Sequence, residues 1–333
     1  MAGIRDVAKY AGVSPSTVSR ALSGVAYVEP EKKEKILQAV KELNYKPNLA
    51  ARSLKKSGSG LIGLIIPDIT NPYYPEVVKF MEICAAKEGY SLILCDALGD
   101  VNKEKEYFKT LKYLFVDGIL YIASTDDISH IEPYIGDIPM VIVNRTFDVS
   151  APCINIDNED ASYHAIKYLI DKGHQKIAVY INGKMRQYNN ERLAGVVRAL
   201  NENKMELCDD YIIKNVVSEE NAYEKTLELM KKKTRPTAIF LFNDYMALGV
   251  YRGIAECGLK IPDDVSIVGF DDIPSVKYLT PPLTTIRHSL ASTSGIVFNC
   301  LMEQIRKKTC AEGKKMLFKG ELIERNSVRD IRD

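Results

Sequence analysis

From residue 61 onward, short apolar runs alternate with amphipathic stretches. The runs are continuously apolar, as is typical of parallel strands covered on both faces. Strands are predicted at Leu61–Ile66, Ser91–Cys95, Gly118–Ala123, Met140–Asn144, Lys176–Ile181, Ala238–Phe242 and Ser266–Phe270. Helices are predicted at Pro75–Glu88, Lys103–Phe115, Asp160–Lys172, Asn190–Asn203 and Tyr245–Cys257. This alternation predicts an α/β fold with doubly wound parallel sheets, and a second series of units beginning near Ala161 favours two sheets.

The first 45 residues carry a helical pattern instead. A first apolar stripe, which ends before Gly12, consists of Ile4, Val7, Ala8 and Ala11. Ser14 and Pro15 suit the start of a second helix, since serine caps the free N–H groups and proline fits the first helical position. The third helix, Pro30–Leu43, has the stripe Ile36, Leu37, Val40 and Leu43. Two short helices around a glycine turn, backed by a third, predict a helix-turn-helix.

The second of these helices leaves a polar face outside when Val18, Ala21 and Leu22 pack inward. In a helix-turn-helix this helix lies in the major groove of DNA, with its N-terminal residues on base edges. We therefore expect Pro15, Ser16 and Arg20 to contact bases, and Thr17 and Ser19 to hold phosphates. An arginine bound to guanine contributes about 1–3 kcal/mol of discrimination between bases. The alternative is a small helical cap that binds nothing.

Charge is distributed unevenly along the chain, although the overall net charge is only +1. Residues 1–60 hold 11 Lys and Arg against 5 Asp and Glu, whereas the remainder holds 34 against 39. A basic N-terminal piece on a slightly acidic body indicates that the N-terminal piece meets a polyanion.

Several segments of the sequence resemble those of a known family. The segments IRDVAKYAGVSPSTVSRALSG (Ile4–Gly24) and LNYKPNLAARSL (Leu43–Leu54) are similar to the start of the LacI/GalR family of bacterial regulators. PDITNPYYP, FNDYMALGV and VGFDDIPSVKYLTPPLTTI carry the resemblance in the rest of the chain. The resemblance implies a DNA-binding transcriptional repressor that binds a palindromic operator in double-stranded DNA and responds to a small molecule. Because no heptad tail follows the predicted strand pair Lys315–Val328, we expect a homodimer.

The resemblance also implies a hinge helix after Lys46-Pro47. In the family this helix folds on the operator and drives a leucine into the minor groove, which places the contacts at Asn48, Ala51, Arg52 and Leu54. A helix of this length is marginal in water, so it is expected to order only against a partner. The alternative for Leu54 is ordinary linker packing.

The implied fold is a three-helix DNA-binding headpiece followed by a two-lobed sensor like the type I periplasmic sugar-binding proteins. The expected domains are residues 1–46, a hinge and linker at 47–60, and a sensor at 61–333. Within the sensor we expect one lobe from 61–158 with 273–288, and the other from 159–272 with 289–333. The crossings between lobes are expected near Asn144–Arg145, near Asp271 and within Thr284–His288.

The linker contains a formal G-x-G-x-x-G at Gly58, Gly60 and Gly63. That pattern binds dinucleotides only where it follows a strand and opens a helix, and here it precedes a strand. We therefore reject a dinucleotide site.

Ligands of open α/β sheets bind at the carboxyl ends of the strands. The polar and aromatic residues at these ends, which also fall on the family's contact positions, are Asn71, Tyr73, Tyr74, Asn144, Arg145, Arg192, Asn243, Asp271 and His288. Amides, carboxylates and guanidinium groups suit the hydroxyls of a sugar, and aromatic rings suit its less polar face. Asp157 and Asp160 are weaker candidates. The alternatives are structural: Asn71 turning the chain, the tyrosines packing the lobes, and Asn243 and Asp271 capping helical turns.

Three other functions are weighed against a sugar-responsive repressor. The nearest keeps the fold but takes a purine or phosphorylated metabolite as corepressor. A sugar-transport component is disfavoured by the basic headpiece, and an enzyme by the lack of a nucleophile–base pair, metal cluster or Walker motif. No cofactor or metal is expected. With no apolar run near ~20 residues and no secretory signal, we expect a cytoplasmic protein without membrane contact.

Overall fold

The computed structural model describes residues 3–23, 27–45, 58–183, 186–309 and 313–332. The chain divides into two compact units, Met1–Ser59 and Gly60–Asp333. In the described parts, no helix is long and apolar enough to cross a membrane, and no group of three or more His, Cys, Asp or Glu could hold a metal ion.

The first unit contains α1 (Ile4–Ala11), α2 (Pro15–Ser23) and α3 (Pro30–Glu42). Gly12 ends α1 with φ +64°, a left-handed conformation that glycine adopts at no steric cost. The Ser14 hydroxyl accepts a hydrogen bond from the Thr17 amide at 3.2 Å, which is the predicted cap of α2. The buried core of this unit consists of Val7, Ala8, Ala11, Val18, Ala21, Ile36 and Ala39.

One headpiece residue that the sequence predicts to be buried is exposed in the structure. Leu37 is 50% exposed, whereas Ala39, which was not in the predicted stripe, is buried. Ile36, Ala39, Val40 and Leu43 follow the spacing of one helix face, and Leu37 lies about 100° away from Ile36.

The second unit alternates strands and helices. The strands are β1 (Leu61–Ile66), β2 (Ser91–Asp96), β3 (Gly118–Tyr121), β4 (Met140–Val143), β5 (Cys153–Ile156), β6 (Ile177–Asn182), β7 (Ile212–Val216), β8 (Ala238–Leu241), β9 (Ser266–Asp271), β10 (Thr284–Arg287), β11 (Lys315–Phe318) and β12 (Glu321–Ile323). The helices are α4 (Tyr73–Lys87), α5 (Val101–Tyr113), α6 (Asn158–Asp171), α7 (Gln187–Glu202), α8 (Glu219–Met230), α9 (Ala247–Glu256) and α10 (Leu290–Lys307). Short 3-10 turns lie at Ser129–Tyr134, Asp209–Tyr211, Asp244–Met246 and Pro274–Tyr278.

Two six-stranded sheets define two lobes. The first lobe has the order β11-β5-β4-β3-β1-β2, with every described pairing parallel. The second lobe has the order β12-β10-β9-β8-β6-β7, and its β12 runs antiparallel to β10. In both sheets the strand order reverses beside the first strand, so polar groups at the carboxyl ends near that point can converge on a ligand.

Strand β1 shows why the apolar runs are continuous. Ile62, Leu64 and Ile66 belong to the core cluster that includes α4, whereas Ile65 packs with Phe108 of α5 on the other face. Both faces are therefore covered by helices. Gly63 lies inside this strand rather than in a phosphate-binding loop, and a Cβ there would come within 2.4 Å of the Leu111 side chain.

The expected assignment of segments to lobes is wrong in two places. Residues 284–287 form β10, which pairs with β9 in the second lobe, not the first. Helix α10 packs on α4, β3 and β4 of the first lobe, where the Gln304 side chain bonds the backbone N and O of Met140 at 3.3 and 2.9 Å. β11 joins the first sheet, whereas β12 joins the second, so the expected strand pair is split between lobes.

The chain therefore crosses between the lobes at three places: from β5 to α6, from β10 to α10 and from β11 to β12. The crossing expected in Thr284–His288 lies just after β10. The crossings expected near Asn144–Arg145 and near Asp271 are wrong, because β4 continues to β5 and β9 to β10 within their own sheets.

All seven predicted strands are present, and their ends differ from the predicted ones by at most two residues. Strands β5, β7 and β10, which are short and contain polar residues, were not predicted, and neither were helices α8 and α10. The predicted helix at Tyr245–Cys257 is a 3-10 turn followed by α9, and α7 begins at Gln187, so Arg192 lies in its second turn rather than opening it.

Candidate functional site

Helix α2 presents the expected polar surface. Pro15, Ser16 and Arg20 are exposed, and Thr17 and Ser19 are half-buried. The Ser14 hydroxyl lies 2.7 Å from that of Ser16 and 2.8 Å from that of Thr17. The remaining candidates for contact with DNA, Asn48, Ala51, Arg52 and Leu54, lie outside the described residues.

A cavity between the lobes of the second unit brings together all nine residues proposed from sequence as ligand contacts. The cavity has a volume of about 60 Å³. The residues come from both sheets: Asn144 and Arg145 follow β4, whereas Asp271 ends β9 and Asn243 follows β8. The rule that strand ends converge accounts for this meeting.

Arg192 is a buried charge in the cavity wall. Its Nε donates to Asn158 Oδ1 at 2.9 Å, and its Nη1 donates to the Phe242 carbonyl. The guanidinium carbon lies 3.5 Å from the centre of the Phe270 ring. These contacts hold the group in one orientation, because a buried guanidinium needs fixed hydrogen-bond partners.

Asp271 lies beside Arg192 with a side chain that is only 9% exposed. Burial raises the pKa of this carboxyl to about 7, and Arg192 opposes that shift. Its backbone has φ +116°, a conformation that costs energy for a residue with a side chain and is often found at functional sites. Asp271 therefore changes its charge near neutral pH.

Asp244, which follows Asn243, has a structural role behind the cavity. It is fully buried and accepts hydrogen bonds from Thr285 Oγ1 at 2.7 Å and from the Ile273 amide at 3.1 Å. Burial raises the pKa of Asp244 well above its usual range, and the nearby Asp271 adds to this effect.

An aromatic and amide group forms the wall on the first-lobe side. Asn144 Nδ2 donates to the Tyr73 hydroxyl at 2.8 Å, and the Tyr73 ring lies 5.2 Å from that of His288 and 5.3 Å from that of Tyr74. Asn144 has φ +61°, a conformation that asparagine tolerates better than most residues. Burial, with Arg192 nearby, lowers the pKa of His288 to about 4, so this ring is neutral at pH 7.

Arg145 links the two lobes. Its guanidinium carbon lies 4.2 Å from the centre of the Tyr188 ring of α7, and its Nε lies 3.7 Å from Asp126 Oδ1. Among the described residues, the buried Arg145 Nε and Asn182 Oδ1 have no hydrogen-bond partner. One is a donor and the other an acceptor, so the cavity wall has unused capacity of both kinds.

Five cavity residues were missed by the sequence analysis: Asn155, Ile156, Asn158, Asn182 and Tyr188. Asn182 ends β6, so the strand-end rule would have found it. Asn155 and Ile156 lie in the missed β5, and Asn158 comes two residues after it. Tyr188 lies in the first turn of α7, which begins three residues before the predicted start.

The structural alternatives hold for some candidates alongside their place in the cavity. Asn71 Oδ1 accepts from the Tyr73 amide at 3.0 Å, and Asn243 Oδ1 accepts from the Met246 amide at 3.2 Å, so both also cap local turns. The weaker candidates lie outside the cavity lining: Asp157 caps α6, and Asp160 lies 3.6 Å from His164 Nε2.

Known protein families match the headpiece and the two-lobed unit of the chain separately. Residues 3–48 match the bacterial regulatory proteins of the lacI family, and residues 166–328 match a periplasmic binding protein-like domain. The HTH-type transcriptional repressor PurR of Vibrio parahaemolyticus is 37% identical over 336 residues, covering 99% of this chain and 100% of that protein. The chain belongs to the LacI family. The predicted family and fold class are thereby confirmed, and this LacI-family protein is a DNA-binding transcriptional repressor.

Solved structures of the LacI family agree with this fold. The lac repressor dimer bound to operator and the anti-inducer ONPF has a TM-score of 0.85 at 27% identity, covering 98% of this chain and 99% of that one. A LacI-family regulator from Enterococcus faecium with bound ribose has a TM-score of 0.73 at 27% identity, covering 82% and 100%. As a DNA-binding repressor of this family the protein is cytoplasmic, as expected from the sequence.

Proposed function

We propose that this repressor binds a palindromic operator as a homodimer, and that a small sugar bound between its lobes controls its affinity for DNA. The observation that carries the sugar assignment is the convergence of six asparagines, two arginines and Asp271 around one cavity with aromatic side chains. Such a set offers each ligand hydroxyl both a donor and an acceptor.

On the DNA side, we assign base contacts to Pro15, Ser16 and Arg20, and phosphate contacts to Thr17 and Ser19. Their position on α2, after a glycine turn, supports this assignment because the N-terminal part of such a helix enters the major groove. The hinge contacts of the proposal are Asn48, Ala51, Arg52 and Leu54. A leucine wedge in the minor groove would kink the operator by unstacking one base step.

On the effector side, we assign hydrogen bonds with the ligand to the buried charged and amide side chains. Arg192 and Arg145 donate to ligand oxygens, Asp271 accepts from hydroxyls, and the asparagines Asn71, Asn144 and Asn243 bond in both directions. Tyr73, Tyr74 and His288 cover the less polar face of the ring. The E. faecium relative with bound ribose supports a sugar of this size.

A purine corepressor is the second candidate. It is favoured by the relatives at 35–37% identity that are PurR repressors over nearly the whole chain. A purine offers ring nitrogens and a carbonyl to the same asparagines and arginines, and its flat faces suit Tyr73 and Tyr74. In either case the protein acts by binding rather than by catalysis.

The mechanism proposed is a two-state switch. The ligand biases the arrangement of the lobes, and in a dimer this changes the spacing of the two hinge helices. Since operator half-sites have a fixed separation, that spacing sets the affinity for DNA. Ligand and DNA must then affect each other reciprocally, with a typical coupling of about 1–3 kcal/mol.

The test is fluorescence anisotropy of a labelled palindromic operator, titrated with the protein at fixed salt in the presence of ribose, galactose, guanine or hypoxanthine. A sugar that shifts the operator affinity about fivefold or more supports the main proposal. A shift with a purine alone replaces it with the second candidate. Failure to bind any palindrome, while the protein remains dimeric, would contradict the proposed operator recognition.

A further inference from the structure

A single glutamine joins the two lobes through both ends of its amide. Gln187 Nε2 donates to the carbonyl of Thr146 at 2.9 Å, and the amide of Thr146 donates to Gln187 Oε1 at 3.3 Å. Gln187 is the first residue of α7 in the second lobe, whereas Thr146 lies after β4 in the first lobe. This pairing imitates one rung of a β-ladder, in which a residue exchanges both hydrogen bonds with its partner.

A third bond reinforces this connection. The backbone amide of Gln187 donates to Asp126 Oδ2 at 2.9 Å, and Asp126 lies in the first lobe after β3. An amide in the first turn of a helix has no acceptor within its own helix, so Asp126 satisfies it from the other lobe. The negative charge of Asp126 also suits the positive end of the helix dipole.

These bonds are separate from the covalent connections between the lobes. The chain crosses after β5, after β10 and after β11, and neither Thr146 nor Gln187 lies in those segments. The contact can therefore break when the lobes separate, while the crossing segments act as the hinge and keep the lobes joined. Gln187 is half-buried, so water competes only in part for the hydrogen bonds of its side chain.

The sequence neighbours of the two partners line the cavity. Arg145 precedes Thr146, Tyr188 follows Gln187, and the Arg145 guanidinium stacks on the Tyr188 ring at 4.2 Å. Asp126 also faces Arg145, at 3.7 Å from its Nε. The bonds of Gln187 thus set the distance between two cavity-lining side chains that belong to different lobes.

We propose that Gln187 is a positioning residue: with Thr146 and Asp126 it forms a latch that holds the lobes together and keeps Arg145 and Tyr188 in place against the ligand. The effect on ligand affinity rests on the proposed function, but the latch itself does not. A ligand that is enclosed by both lobes leaves only when they separate, so the latch slows its dissociation. Loss of the latch therefore weakens ligand binding through faster dissociation.

The decisive variant is Gln187→Ala in the full-length protein. The matched control is Asn190→Ala, which changes an exposed residue one turn later on the same helix. Gln187→Glu is a graded variant, because its carboxylate can accept from the Thr146 amide but cannot donate to the Thr146 carbonyl.

The first measurement needs no ligand. Hydrogen–deuterium exchange by mass spectrometry follows the peptide that contains Thr146, whose amide is protected by Gln187. Loss of two side-chain hydrogen bonds is expected to speed this exchange about tenfold in Gln187→Ala, with Gln187→Glu intermediate and Asn190→Ala unchanged. Exchange that is the same in all the variants would overturn the latch.

The second measurement uses ribose as the probe, with dissociation followed by stopped-flow and affinity by calorimetry. Gln187→Ala is expected to raise the dissociation rate about tenfold while the association rate stays within twofold, a split that a general loss of stability does not produce. Faster exchange with unchanged ribose dissociation would overturn the positioning role. If the wild-type protein binds neither ribose nor galactose, the sugar proposal fails, but the exchange measurement still decides whether the latch exists.

Discussion

Arg192 and Asp271 form a buried pair that joins α7 to the end of β9, with Nη2 of the arginine 4.0 Å from Oδ1 of the aspartate. Both side chains are only 9% exposed. At 4.0 Å the pair is a long contact, so part of the hydrogen-bonding capacity of both groups is left for a ligand. The two residues therefore contribute both to the stability of the second lobe and to the proposed binding of the ligand.

Arg192→Lys is expected to lose the fixed fork of donors while it keeps the charge. The amine cannot reach Asn158, the Phe242 carbonyl and the ligand together, so we expect a rise of more than about tenfold in the Kd of the effector. The free energy of unfolding should fall by roughly 1–3 kcal/mol, because buried acceptors lose their partner. Calorimetry and urea denaturation measure the two effects.

The matched control for this variant is Arg198→Lys on the same helix. Arg198 is 40% exposed and pairs with Glu159 at 2.8 Å, so its replacement should change both quantities little. Equal effects at the two positions would show that Arg192 has no special part in binding.

Effector affinity is expected to depend on pH through Asp271. Burial raises the pKa of this carboxyl to about 7, so below pH 7 it is protonated and loses the charge that strengthens the hydrogen bonds it accepts from ligand hydroxyls. Affinity should rise with pH between 5 and 8, by at most about tenfold per unit below the pKa. Calorimetry across this range measures the slope, and a flat profile for wild-type protein would contradict the assignment.

Asp271→Asn should remove this pH dependence, because an amide of the same shape does not titrate in the range. The variant is expected to bind the effector with one affinity from pH 5 to 8. A profile that keeps its slope in the variant would assign the titration to another group.

His288 should make the protein less stable in acid. Burial, with Arg192 nearby, lowers the pKa of His288 from 6.5 to about 4. Between these two pH values the unfolded chain binds a proton at this residue and the folded chain does not. Stability is therefore lost as pH falls from about 6.5 to 4, by up to about 3 kcal/mol. Thermal unfolding of wild type and His288→Gln across this range tests the loss, which should be smaller in the variant.

The raised pKa of Asp271 acts in the opposite direction. Its contribution to stability is present in acid and is lost as pH rises through about 7. In wild-type protein the two effects partly cancel, so Asp271→Asn should show a steeper acid loss than wild type. An unchanged acid profile in both single variants would mean that neither group controls stability.

Arg20→Ala is expected to weaken operator binding and to relax the choice of one base pair. Loss of a bidentate contact to guanine should cost about 1–3 kcal/mol on the preferred operator and much less on an operator changed at that base pair. Anisotropy on the two operators measures this. Lys33→Ala, an exposed change on α3, is the control for charge alone, and effector binding should be unaffected in both variants.

The strand-end rule explains how much of the cavity could be inferred from the residues. Asn144, Asn243 and Asp271 each end or follow a strand, and the carboxyl ends of parallel strands must lie at one edge of their sheet. The tyrosines follow the first strand and Arg192 was expected to open a helix beside the cavity, and all three also fall on contact positions of the family. Asn155 escaped because it lies inside a short buried strand, where a polar residue normally argues against a strand.

The local pattern of the sequence determined most of the helices and strands, the place of the headpiece turn and several of the polar residues that close strands, because periodicity, caps and glycine conformation act over a few residues. It did not determine which sheet takes a strand. Lys315–Phe318 pairs with Cys153–Ile156 in the first lobe, whereas Glu321–Ile323 pairs with Thr284–Arg287 in the second. That choice, and the meeting of Gln187 with Thr146, depends on hydrogen bonds between residues far apart in the chain, which only the packed tertiary structure brings together.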